Sequence, residues 1–366
     1  MTKPLNIVFI GLTLSSSWGN GHATTFRSLL RGLNASHHSC LFLERDMPWY
    51  ANARDMPHPD FCRLAYYDRP EQLAGEFAAE IRAADAVVIG SYVPDGVAVI
   101  DLVHALSPRC LCFYDIDTPV TLAKIERGDE EYIARRQFPL FDVYFSFSGG
   151  TVLTLLEERY GVRTARALYC SVDPDRYFPT GEAFEWDLGY LGTYSSDRQP
   201  VLERLLIEPA RRLPHRRFVV AGPSYPDSID WPANVVRIEH LPPEQHRSFY
   251  SRQRFTLNVT RADMVALGWS PSVRLFEAAA CHAPIISDAW EGLDSLLPEG
   301  DALVIARRPE DVVTVLETLP EASRQSQAER AAKIVLASHT GEARGRELVQ
   351  ALSAARLPHA KRALSA

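Results

Sequence analysis

Short apolar runs alternate with amphipathic stretches of helical length along most of the chain. The run over 6–11 gives way to the loop S-S-S-W-G-N-G-H, and then Phe26, Leu29, Leu30 and Leu33 recur at i, i+3, i+4 and i+7, which predicts an amphipathic helix. Further strand-like runs cover 40–43, 63–66, 86–90, 110–114, 143–147 and 165–169, and helical patterns cover 70–83, 95–106 and 152–160. Strands separated by helices predict a parallel sheet with both faces covered. Ligands of such sheets gather at the carboxyl ends of the strands. Three loops meet that condition: 18–22, 91–95 and 115–119.

The same grammar restarts in the second half, after a Pro- and Gly-containing acidic stretch over 180–186 that reads as a linker. Strands are expected over 188–191, 218–221, 235–238, 255–259 and 302–306, with helices over 201–213, 244–250 and from 309 onward. Between them lies S-P-S-V-R-L-F-E-A-A-A-C-H-A-P-I-I-S-D, starting at Ser270. Ser270 suits a helix N-cap and Pro271 the first helical position, Pro284 stops the helix, and Ile285 and Ile286 begin a buried strand. Glu277 falls beside the apolar stripe of this helix, where a carboxylate needs a partner. Two partners are open. One is Arg274, three residues earlier. The other is a ribose diol, with the Ser272 and Val273 amides facing a diphosphate.

A length of 366 residues allows two domains, each with its own core. The net charge of −7 argues against nucleic acid or an anionic membrane as a partner. An anionic small ligand would need local basic residues. Six cysteines without a C-x-x-C pair point to reduced thiols in a cytoplasmic protein, and no zinc framework is expected. No apolar stretch is long enough to span a bilayer, and the run over 5–14 reads better as a first strand than as a signal peptide.

Candidate chemistry sits in the loops. Gly19 and Gly21 shape the first one, and His22 stands at the start of its helix, either as a base for a hydroxyl or as a capping side chain. Asp115 and Asp117 carry the same choice between capping a helix and orienting or deprotonating an acceptor. In the second half, Gly192 and Thr193 end a strand with Arg198 close behind, and Thr260 and Arg261 end another. The first strand, Gly-containing loop, helix and second strand ending in Glu44 outline a dinucleotide site and raise hydride transfer. The fit is imperfect, because the third glycine falls at Thr24 and the loop over 12–18 is too long for that tight turn.

Three dispersed motifs carry a resemblance: L-Y-C-S-V-D-P-D-R-Y-F-P from Leu168, L-G-Y-L-G-T-Y from Leu188, and L-F-E-A-A-A-C-H-A-P-I-I-S-D from Leu275. Together they resemble the two-Rossmann (GT-B) glycosyltransferases with a group-1-type C-terminal domain and, within these, the spore-maturation CgeB-type proteins. The resemblance implies an α/β fold of two Rossmann-like domains facing across a cleft. It places an acceptor-side domain at 1–179, a nucleotide-sugar domain at 187–340, and a helix and tail at 341–366 packing back toward the first domain. It implies transfer of a sugar from a nucleotide diphosphate, expected to be a UDP-sugar, to a hydroxyl acceptor such as a glycan or surface component, with neither metal nor cofactor. Glu277 takes the ribose position, Ser272 and Ser270 lie at the phosphate-facing helix start, and Arg198 stands near a phosphate contact. Arg261 and Arg274 are added from charge, and salt bridges explain either equally well. His22 and Asp117 are the candidate bases.

Two departures stand out. Trp269 occupies the position of the family's first acid, and His282 replaces the glycine after the helix, which requires a positive φ or another cap. Two rivals follow: a nucleotide-sugar epimerase on the same fold, and a silent nucleotide-sugar-binding protein.

Overall fold

The structure is a computed structural model that describes residues 3–18 and 21–363, with side chains through residue 355. Two compact units divide the chain, one formed by residues up to Ser171 and from Gly341 onward, the other by Val172–Thr340.

The first unit holds β1 (Asn6–Gly11), β2 (Ser39–Arg45), β3 (Arg63–Tyr67), β4 (Ala86–Gly90), β5 (Leu111–Asp115), β6 (Val143–Ser146) and β7 (Ala165–Ala167). All pair in parallel in the order β3-β2-β1-β4-β5-β6-β7. The order reverses direction at β1 and β4, so the loops after these strands splay to opposite sides and leave room for a ligand. Near-continuous Val, Ile and Phe in β1 and Val and Ile in β4 reflect burial on both faces. Phe9, Phe26, Phe42 and Tyr114 meet in the core.

The terminal helix Gly341–Ala363 belongs to this unit and adds Leu348, Val349 and Leu352 to its core. It crosses helix His22–Ala35 at glycines. A Cβ on Gly32 would stand 2.1 Å from the Gly341 carbonyl oxygen, and a Cβ on Gly341 2.1 Å from that of Ser28.

The second unit holds β8 (Trp186–Leu191), β9 (Phe218–Ala221), β10 (Val235–Ile238), β11 (Gln253–Asn258), β12 (Ile285–Ser287) and β13 (Leu303–Ile305), parallel in the order β10-β9-β8-β11-β12-β13. Its switch in strand order lies between β8 and β11, where β8 ends at Leu191 and β11 at Asn258.

Several sequence expectations shift in detail. The helix over 70–83 breaks at Gly75 into Glu71–Ala74 and Ala78–Ala83. The helix over 201–213 carries a π turn, Glu203–Ile207, just before Pro209, a widened turn that accommodates the missing proline N–H. The stretch 180–186 is no free linker: the Thr180 amide donates to Ser251 Oγ and the Glu185 amide to the Arg252 carbonyl, tying it to the second unit. The contacts divide the chain after Ser171 and not after Pro179, because Val172 bridges to Thr340. All six cysteines are free. Among the described residues no helix is long and apolar enough to cross a membrane.

Candidate functional site

In the second unit, polar side chains collect where β8 and β11 end. Alternation along β8 sends Leu188 and Tyr190 into the core, but the Tyr190 hydroxyl, fully buried, finds no partner. Beyond the strand, Gly192 has no room for a side chain: a Cβ there would stand 2.5 Å from Tyr190 Oη and 2.9 Å from Arg274 Nη2. The Arg274 guanidinium lies 5.6 Å over the Tyr190 ring. It donates to the Leu191 carbonyl and, at 2.9 Å, to Ser272 Oγ.

Arg198 joins this group. Its Nη2 donates to the Thr193 carbonyl at 2.8 Å, while its buried Nε has no partner. Burial, with the like charges of Arg274 and Arg261, pushes the Arg198 guanidinium below the usual arginine range. Among the described residues neither Arg198 nor Arg274 has a salt bridge, whereas exposed Arg261 lies 3.8 Å from Asp197. Arginines held together without carboxylates cost several kcal/mol unless an anion joins them.

The helix here is Val273–Ala280, and Ser272, not Ser270, is its N-cap, accepting from the Arg274 amide. Buried Ser270 instead donates to the Gly268 carbonyl at 2.8 Å. Trp269 stands at φ 49°, and a Cβ on Gly292 would meet its ring at 2.3 Å, so an indole packed on Gly292 fills the place of the expected acid. His282 does take a positive φ, 55°, and its amide donates back to Ala279, closing the helix without glycine.

Glu277 is buried, and its partner is not Arg274. The Tyr250 hydroxyl donates to Glu277 Oε2 at 3.2 Å. Burial raises its pKa, and Tyr177 and Tyr250, then Arg274 and Arg176, oppose that rise. One such donor leaves part of a carboxylate's acceptor capacity unused. Thr260 is fully occupied: its amide and hydroxyl both donate at 2.9 Å to Asp288, whose carboxyl is raised by burial. Its role is to hold the turn after β11, and it has no proton left for a donor. His246 donates to the Leu241 carbonyl from Nε2 at 3.2 Å if that nitrogen carries the proton, while its Nδ1 has no partner.

The first unit gathers a second group at the ends of β4 and β5. His22 opens the helix His22–Ala35, is 8% exposed, and stacks edge-on to Tyr92 with centroids 5.3 Å apart. Burial lowers its pKa to about 4, and its Nδ1 has no partner. Tyr92 packs against Tyr132 at 4.5 Å, and the Lys124 ammonium lies over both rings. Asp117 is the N-cap of helix Thr118–Glu126, and its negative charge acts on Tyr92. Asp115 is fully buried and accepts from Thr121 at 2.7 Å, Tyr144 at 2.6 Å and the Asp117 amide at 3.2 Å. Burial raises it to about 6. It lies beneath the loop and not on its surface. Gly21 precedes the helix as its N-cap, while Gly19 lies outside the described residues.

Glu44, the acid that suggested a dinucleotide site, accepts from the amides of Leu14 and Ser15 and from Ser15 Oγ at 2.6, 2.9 and 2.6 Å. It braces the first loop and cannot also take a ribose diol, which removes the basis for hydride transfer. Sequence reasoning missed Tyr190, Tyr177, Tyr250, Thr121, Lys124 and Tyr132. Tyr190 was visible within L-G-Y-L-G-T-Y, but strand alternation makes it look like core. Tyr177 and Tyr250 approach Glu277 from elements distant in sequence, while Thr121, Lys124 and Tyr132 lie close after Asp115 but belong to no motif.

Residues 198–350 match a family model described as Glycosyl transferase-like. No curated protein matches the chain by sequence. Solved structures similar over nearly the whole chain include the Anabaena protein HepE in complex with UDP, with TM-score 0.69 and 11% identity over 96% of this chain and 100% of that one. The sucrose-phosphate synthase from Thermosynechococcus elongatus gives TM-score 0.65 and 13% identity over 94% and 98% of the two chains. An alpha-glucosyltransferase in complex with UDP-glucose and DNA containing an abasic site gives 0.67 and 11% over 96% and 100%. The fold is GT-B, built of two Rossmann-like domains. A glycosyltransferase model over the C-terminal domain and a glycosyltransferase fold over both support a glycosyltransferase.

Proposed function

We propose that the protein transfers a sugar from a nucleoside-diphosphate donor, a UDP-sugar, to the hydroxyl of an acceptor glycan or surface component, without a metal ion. The observation that carries this reading is the half-buried Arg198 guanidinium, with its Nε buried and unpartnered, beside Arg274, neither bearing a carboxylate among the described residues. A diphosphate supplies the missing negative charge. The crowded Gly192 position, the orphan Tyr190 hydroxyl and the cap of helix Val273–Ala280 surround the place where it would sit. Fixed guanidinium groups then stabilise the leaving diphosphate as charge develops on it, the role a metal fills elsewhere. Arg261 lies at the rim, and Glu277 takes the ribose hydroxyls with its remaining acceptor capacity. The UDP bound in the structures of similar fold supports uridine as the base.

The acceptor belongs to the first unit, beside His22, Tyr92 and Asp117. The reading extends to the CgeB-type subgroup on the three motifs that carry that resemblance, and to the cytoplasm on six free thiols. A silent binding protein is the rival with an observation behind it, since Trp269 fills the position of the donor-sugar acid.

Thermal shift and product release test these readings together. UDP at saturating concentration in EDTA raises the melting temperature of the wild type. Arg198→Ala and Arg274→Ala each weaken UDP binding by roughly 10- to 100-fold, as expected for charge-assisted contacts of about 1.5–3 kcal/mol. Glu277→Ala lowers the shift as well. A UDP shift that requires a divalent ion, or one that survives loss of both arginines, rejects the cradle. UDP release from a UDP-sugar by the isolated protein rejects the silent binder.

A further inference from the structure

Tyr190 stands near the end of β8 with its ring in the core of the second unit and 1% of its surface exposed. Its hydroxyl is buried and has no hydrogen-bond partner. A buried hydroxyl without a partner forfeits its bonds to water and weakens the fold that holds it. Phenylalanine would fill the same core volume without that loss, so the oxygen calls for a use outside the fold.

The surroundings of that oxygen are cationic. The Arg274 guanidinium lies 5.6 Å over the Tyr190 ring. A Cβ on Gly192 would stand 2.5 Å from Tyr190 Oη and 2.9 Å from Arg274 Nη2, so hydroxyl and guanidinium converge on this glycine. Arg274 Nε and Nη1 are spent on the Leu191 carbonyl and Ser272 Oγ, and among the described residues Nη2 makes no hydrogen bond. Arg198 is anchored through Nη2 on the Thr193 carbonyl and carries a buried Nε without a partner. The neighbouring acid, Asp197, accepts from Ser195 and from the Ala262 amide and lies 3.8 Å from Arg261. It pairs with neither guanidinium of the cradle. The arginines are thus held in place by neutral oxygens, which orient their charge without cancelling it.

We infer that Tyr190, Arg198 and Arg274 form a diphosphate site complete within the second unit, which takes inorganic pyrophosphate without a nucleoside. The inference rests on the arginine cradle of the transfer reading and adds a third donor and a second ligand. Two guanidinium groups match the charge of two phosphoryl groups, and Tyr190 Oη donates to a phosphate oxygen between them. All three side chains and the groups that anchor them belong to Val172–Thr340. Both guanidinium groups are half-buried and so reachable from solvent. A charged oxygen holds a guanidinium more strongly than the neutral oxygens that hold Arg274 now. Arg274 therefore turns to the ligand and uncovers the hydroxyl beneath it. Free pyrophosphate accordingly competes with the nucleotide-sugar donor.

Calorimetric titration of the full chain in EDTA with inorganic pyrophosphate and with UDP tests the site, beside urea unfolding without ligand. Wild type is expected to bind both. Tyr190→Phe is expected to bind each about 10-fold more weakly, the scale of one hydrogen bond to a charged group. Without ligand it unfolds at the urea midpoint of wild type or above it, because the lost hydroxyl had no partner in the fold. Wild-type affinities in Tyr190→Phe, or a lower urea midpoint, overturn the role of the hydroxyl and leave the two arginines as they are. A wild type that binds UDP but not pyrophosphate overturns a site independent of the nucleoside. A wild type that binds neither overturns the cradle and this inference together.

Discussion

His22 and Asp115 show how one packing environment drives two residues apart. Both are desolvated, but an imidazole loses its proton and a carboxyl keeps it. For His22 the folded-state value, about 4, lies below the ordinary 6.5, so between those values the unfolded chain binds a proton that the folded chain refuses. Its contribution is therefore complete above about pH 6.5 and is lost as pH falls toward 4. The shift corresponds to roughly 3 kcal/mol. Urea unfolding of wild type and His22→Gln across pH 4 to 7 should show a shallower acid-side loss in the variant, and equal slopes would contradict the burial of an unpaired imidazole. Glu277 teaches a related lesson. Its spacing from Arg274 suggested an ion pair, but the arginine is drawn to the Leu191 carbonyl and Ser272, and the carboxylate accepts from the Tyr250 hydroxyl instead.

At the scale of elements, the helix that carries Glu277 is bounded by side chains the sequence could name only in part. Pro271 invited a start at Ser270, yet Ser270 is spent on Gly268 and the cap passes to Ser272. The far end was clearer, because a chain that must turn before Pro284 needs a left-handed residue, and His282 supplies it at φ 55°. A non-glycine residue pays about 1 kcal/mol for that conformation. His282→Gly is accordingly expected to stabilise the protein by up to about that amount, seen as a higher unfolding midpoint, and a lower midpoint would mean that the imidazole packs favourably. Strands were read more accurately than helices, since β1, β4, β9 and β10 have the bounds their apolar runs suggest. Two-sided burial leaves an unmistakable apolar block. Helices broke where Gly75 and Pro209 interrupt an amphipathic pattern that continues on either side.

At the scale of the whole molecule, the chain leaves its first unit after Ser171 and returns to it at Gly341. The returning helix buries Leu348, Val349 and Leu352 in the N-terminal core. At about 1.5–3 kcal/mol for each buried aliphatic side chain, their loss removes about 5–9 kcal/mol, comparable to the stability of a typical domain. A protein truncated after Thr340 is therefore expected to aggregate or to lose cooperative unfolding of its N-terminal unit, and retention of both transitions would refute this role for the helix. By itself the sequence determined the two α/β halves, their parallel strands, the loops where ligands gather and the helix bearing Glu277, because burial periodicity and turn chemistry are local properties. Only the tertiary structure decided which charges meet. The Arg198 and Arg274 pairing, the Tyr250 hydroxyl on Glu277 and the Thr121 and Tyr144 hydroxyls on Asp115 join residues from separate elements, and hydrogen-bond partners are settled by proximity in space that no local pattern encodes.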